Sequence, residues 1–103
     1  MLLHTVMWKF KENAEGHTKA ENIATVRTGL ENLVGVVPVL DELHFYENEV
    51  ECGRNFDAML QVTVRDGDAL EAYKTHPAHQ KVAAFVAKVT EGRAAVDITK
   101  PAD

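Results

Sequence analysis

The chain is short of cysteine, of basic charge and of long apolar runs, and each shortage excludes something. A single cysteine, Cys52, has no second thiol to meet. No internal disulfide can staple the fold, and a reducing compartment fits. Lys and Arg number 11 against 16 Asp and Glu, for a net charge of −5. Such a chain, with no cluster of Lys and Arg, offers no surface for nucleic acid or for an anionic membrane. No apolar run approaches the ~20 residues of a membrane span. The first residues, Met1 to Asn13, lack a basic segment followed by a long apolar one. No signal peptide is therefore expected, and the expected location is cytoplasmic. Low-complexity tracts, charge blocks and linkers are missing too.

What remains is a length of 103 residues, 46% of them hydrophobic. That is enough for one domain spanning 1–103 and too little for two. The core at this size is modest, so self-association is a natural supplement. Leu2–Phe10 alternates as a strand, with His4, Val6, Trp8 and Phe10 on one face. Lys11–Thr18 is a polar connection. From Lys19 to about Val34, the residues Ile23, Val26, Leu30, Leu33 and Val34 draw one helical stripe. Thr18 and Glu21 form a capping box before it, and Gly35 and Pro38 end it. Val39–Tyr46 reads as a second strand, Glu47–Gly53 as an acidic loop and Arg54–Val64 as a third strand. Asp66 or Asp68 caps a second helical stretch, Ala69 to about Glu91, with Gly92 at its C-terminal turn. Arg93–Thr99 is the last strand, and Lys100–Asp103 a short tail. The order β-α-β-β-α-β predicts an α+β, ferredoxin-like sandwich with both helices on one face of a four-stranded antiparallel sheet. The other face, with Leu3, Met7 and Met59, then needs cover, and a second copy of the chain supplies it.

The segment Tyr73-Lys74-Thr75-His76-Pro77-Ala78-His79 carries the most chemistry. Proline has no N–H and clashes with the preceding turn, so the helix must break before Pro77 and restart with it. His79 then lies near a helix N-terminus, where cations are disfavoured, and a neutral imidazole there is a candidate proton acceptor. His76 is expected to cap the new helix. An i,i+3 histidine pair without Asp, Glu or Cys at ligand spacing is a poor zinc site. Cys52, in an acidic loop, is expected to have a raised pKa and no nucleophilic role.

Several of these stretches together resemble the stress-responsive A/B barrel, or dimeric α/β-barrel (Dabb), family. They are Leu3-His4-Thr5-Val6 with Lys9-Phe10-Lys11, Leu33-Val34-Gly35-Val36-Val37-Pro38, Phe56-Asp57, Ala69-Leu70-Glu71-Ala72-Tyr73 with His76-Pro77-Ala78-His79, and Val96-Asp97. The resemblance runs the length of the chain in order. It implies a ferredoxin-like protomer that pairs face to face with its copy to close a barrel. A plant polyketide cyclase of the family uses the histidine closing His-Pro-x-His as base and the tyrosine before it to bind substrate. The resemblance therefore points to His79 and Tyr73 here, with His4 lining the same cavity. Ala58, Leu30 and Arg27 depart from that enzyme's pocket. The family bend at Val34 to Leu40 implies an incidental Mg²⁺ on the backbone carbonyls of Val34, Val37 and Leu40. No cofactor is implied for the chemistry.

Trp8, Arg27, Leu30, Leu60 and Val82 are the candidate ligand-lining residues; Trp8 and Arg27 suit an aromatic or acidic small molecule. Two functions follow. One is a cofactor-independent cyclase or isomerase acting on a small carbonyl compound, with His79 as general base. The other is a non-catalytic stress-responsive or ligand-binding protein in which the histidines are structural. An RNA-binding domain of the same element order is excluded, because Asn55–Val64 lacks the aromatic and basic pattern it needs.

Overall fold

Strand β1, Leu2–Phe10, occupies the middle of the sheet because its alternation gives it an inner face that is apolar except for His4. His4, Val6, Trp8 and Phe10 are all buried there. The structure, a computed structural model, describes residues 1–101. The last two residues of the expected tail, Ala102 and Asp103, lie outside the described residues.

The connection after β1 is a small hairpin, β2 (Asn13–Ala14) and β3 (His17–Thr18). Its turn places Glu15 and Gly16 at positive φ, the conformation that two-residue hairpins require. Helix α1, Lys19–Glu31, starts with the expected capping box. The Thr18 hydroxyl accepts from Glu21 N–H at 3.3 Å, and the Glu21 carboxylate accepts from Thr18 N–H at 2.9 Å. The helix ends at Glu31, before the expected Val34. Val34 leaves the stripe and is 52% exposed, while Leu33 and Val37 turn inward through a compact bend.

Strand β4, Glu42–Glu47, begins later than Val39, since Pro38 to Leu40 still belong to that bend. Strand β5, Ala58–Val64, begins later than Arg54, because residues 52–55 close a turn. Helix α2, Gly67–Thr75, is capped by Asp66, whose carboxylate accepts from Ala69 N–H at 2.9 Å. His76 is extended, as a residue before proline must be, and helix α3 runs Pro77–Val89. The chain leaves α3 at Thr90 and enters β6, Thr90–Thr99, directly. Gly92 is thus a strand residue rather than a helix terminator. It pairs with Lys9 at a register shift, where a Cβ would come within 3.1 Å of the Lys9 side chain.

The sheet order is β4-β5-β1-β6, all neighbours antiparallel. This is the ferredoxin-like α+β arrangement. The helices cover one face, and Val26, Leu30, Val62, Val64, Tyr73 and Val89 fill the space between. On the other face Leu3, Met7 and Met59 are half-buried, while Val96 (60%) and Ile98 (47%) stand exposed. No helix among the described residues is long and apolar enough to cross a membrane.

Candidate active site

Between the sheet and α3 the core is incomplete and leaves a cleft of about 440 Å³. That size lies within the range of roughly 300–1,000 Å³ usual for small-molecule sites. Three of its polar side chains come from three elements: His4 from β1, Tyr73 from the end of α2 and His79 from the first turn of α3. The break at His76–Pro77 brings the last two together. Without it, one continuous helix would carry them six residues apart, on different faces.

Tyr73 is fully buried, and its hydroxyl has no hydrogen-bond partner. Burial pushes its pKa well above the ordinary value, so it stays a neutral donor. A buried donor left unpaired costs about 1–3 kcal/mol. An acceptor arriving from solvent would remove that penalty. The ring of His79 packs against Tyr73 at 4.4 Å between centroids. His79 Nδ1–H donates to the Lys74 carbonyl at 3.1 Å, which leaves Nε2 with its lone pair. Its pKa is lowered, chiefly by burial and further by the positive fields of His4, Lys74 and His76; the Lys74 carbonyl works the other way. A neutral imidazole is the outcome near neutral pH.

His4 is buried at 4% exposure, with its ring edge-on to Tyr73 at 6.5 Å. Its Nδ1–H donates to the carboxylate of Asp97, its register partner on β6. That bond fixes the ring and leaves Nε2 free. His76 is outside this group: its Nδ1 accepts from Ala78 N–H at 3.1 Å, which is the helix cap expected of it.

The apolar wall includes Trp8, Leu30 and Leu60, three of the five residues expected to line a ligand site. The other two lie elsewhere. Arg27 stacks over Phe45 at 5.2 Å and pairs with Glu47 at 3.4 Å, on the same face but over the opposite edge strand, β4. The helical spacing that placed it beside Leu30 could not show which side of α1 faces β4. Val82 packs instead on Gly29, in the seam between α1 and α3. Two cleft residues, Lys74 and Arg93, and Asp97, which holds the cleft's His4 from behind, are not singled out as site residues by the sequence. Strand periodicity was the available signal. Arg93, Ala95 and Asp97 share a face, and pairing with β1 turns that face toward His4.

Cys52 is exposed, and its thiol pKa is lowered, opposite to expectation. Hydrogen bonding to Arg54, first of all to its backbone N–H, is the main cause, and it outweighs the opposing effect of desolvation. At the Val34–Leu40 bend the Val37 carbonyl already accepts from Leu40 N–H at 3.1 Å. Three neutral carbonyls without a carboxylate do not match the water and carboxylate shell that Mg²⁺ prefers, so the donors there do not fit that ion. Among the described residues, no group of three or more His, Cys, Asp or Glu is placed to hold a metal.

The family profile described as Stress responsive A/B Barrel Domain matches residues 2–100. None of the curated proteins matches in sequence. Solved structures do. A dimeric ferredoxin-like protein of unknown function from Jannaschia sp. CCS1 is 27% identical, with 96% of this chain and 98% of that one covered at a TM-score of 0.75. A dimeric protein of unknown function and ferredoxin-like fold from Bacteroides fragilis is 23% identical, covering 94% and 93% at a TM-score of 0.82. A hydroxynitrile lyase from Passiflora edulis is 14% identical, covering 97% and 96% at a TM-score of 0.78. At those last two identities the likeness is one of fold.

Proposed function

We propose that this chain, which belongs to the stress responsive A/B barrel domain family, is a homodimeric, cofactor-independent enzyme that removes a proton from a small carbonyl compound. The observation that carries the reading is a buried, unpartnered Tyr73 hydroxyl on a ring packed against that of a neutral His79, whose Nε2 makes no hydrogen bond. A carbonyl oxygen entering the cleft accepts from Tyr73 O–H. His79 Nε2 then takes a proton from the adjacent carbon, and the C–H electron pair moves into an enolate. Tyr73 keeps its own proton, because burial holds its pKa up, and so stabilises the developing oxyanion as a donor. The cycle closes in one of two ways. Either the imidazolium returns the proton to the far carbon of a conjugated enolate, an isomerisation, or the enolate carbon attacks a second carbonyl of the same molecule and the imidazolium protonates the resulting alkoxide, an aldol-type cyclisation. His4, held by Asp97, adds a second oriented imidazole nearby.

The dimer reading rests on the uncovered sheet face. Leu3, Met7, Met59, Val96 and Ile98 form one apolar surface there. Two solved structures of this fold are described as dimeric. Among proteins of the same fold is a lyase whose name implies a small substrate, which fits a cleft of this size.

A thermal-shift screen of small ketones and keto acids against wild type and His79→Ala tests the function. Compounds that stabilise wild type more than the variant, and that are turned over only by wild type, support it. Equal stabilisation of both proteins without turnover would leave a non-catalytic ligand-binding protein.

A further inference from the structure

The proposed proton transfer leaves two positive charges of the cleft unused. Lys74 and Arg93 both line it. Neither has a carboxylate partner among the described residues. Asp97, four residues along β6 on the same strand face as Arg93, is engaged by His4. The positive charge of Lys74 is felt at His79, where it helps to hold the imidazole neutral. In a chain of net charge −5, this is a local reversal of sign at the edge of an apolar space. Arg93 is also the register partner of Trp8, so guanidinium and indole rise from neighbouring positions on the same sheet face. Bordered by apolar side chains, a charge there acts through less solvent than one on open surface.

We propose that the natural ligand is a keto acid, a small carbonyl compound that also bears a carboxylate, with the carboxylate on Arg93 and the carbonyl on Tyr73. This rests on the reading of the cleft as a carbonyl site and adds the second recognition point. A guanidinium presents paired N–H groups that match a carboxylate in two parallel bonds. Lys74 adds a second cation and offsets the negative charge that an enolate would otherwise place near the carboxylate. The body of the ligand lies against Trp8, Leu30 and Leu60. The role expected of Arg27, recognition of an acidic small molecule, thus passes to an arginine on a different strand.

Trp8 is the chain's single tryptophan and lines the cleft, so its emission reports occupancy directly. The test titrates wild type, Arg93→Gln and Arg93→Lys with ketoisocaproate and with its methyl ester, which keeps the ketone and removes the charge. Wild type is expected to bind the acid about tenfold more tightly than the ester. Arg93→Gln should lose that preference while still binding the ester, and Arg93→Lys should retain part of it. Arg93 is exposed, so its variants are expected to keep the fold; an unchanged melting temperature checks this. Equal binding of acid and ester by wild type overturns the carboxylate assignment and leaves the carbonyl site standing. So does an acid preference that survives Arg93→Gln. If neither compound alters Trp8 emission, both readings fail.

Discussion

The two edge strands are oppositely polarised. Strand β4 turns Leu43 and Phe45 toward the helices and Glu42, His44 and Tyr46 outward. Strand β6 turns Arg93 and Asp97 toward the helix side and Ala94, Val96 and Ile98 outward. The first arrangement is that of an ordinary half-covered sheet, apolar inside and polar outside. The second is its inverse, and it makes sense only if both faces of β6 have other business. Inside, the helix layer stops short of full cover, and polar residues of β6 border a cleft in place of a packed core. Outside, an apolar strip continues onto β1 and waits for a partner. One sheet thus carries a packed edge and an open edge, and the difference is written in which parity of the strand is apolar.

Breaking the packed edge should have the largest effect. Phe45→Ala removes a side chain buried at 7% exposure and the platform under Arg27. It should cost about 3–5 kcal/mol in chemical denaturation. Next comes the outer face of β6. Val96→Asp would place an unpaired charge in the strip proposed as the dimer contact, and sedimentation should show self-association weakened by on the order of a hundredfold. Persistence of the wild-type dimer would mean the strip is not the contact.

Inside the cleft the stability effects shrink while the functional ones grow. Tyr73→Phe deletes a hydroxyl with no partner in the free protein, so stability should hold or rise by up to about 1 kcal/mol, while ketone affinity falls about tenfold. A clear loss of stability would show that the hydroxyl already has a partner. The smallest effect is the pH dependence of His79. Its folded pKa lies below the ordinary 6.5, so the unfolded chain takes up the proton first as pH falls. Stability is complete above that value and declines as pH drops from it toward the lower folded value. His79→Phe should flatten this decline in urea midpoints taken across the range.

Much of the architecture was legible beforehand because it rests on local chemistry. The capping box at Thr18, the Asp66 cap and the break before Pro77 each follow from what one or two side chains do to nearby N–H groups. Strand ends were less legible. Whether Val39 or Arg54 joins a ladder depends on a partner strand distant in sequence, and Gly92 looked like a helix terminator because glycine serves both purposes. Of the site, the spacing and the family resemblance pointed to His79, Tyr73 and His4, and the fold brings those three rings together. Arg27 and Val82 went astray because a helix stripe wider than its contact cannot say which neighbour each residue meets. Arg93 and Asp97 escaped because polar residues on an edge strand are read as solvent-facing by default.

The claim that the cleft holds a working base is tested most directly by proton exchange. Methyl isobutyl ketone is incubated in deuterium oxide with wild type or His79→Gln, and loss of its α-proton signals is followed by NMR. Wild type is expected to accelerate exchange, and the variant to be slower by a hundredfold or more, with the ketone still bound by both. Equal rates in the two proteins, with binding intact, would contradict it.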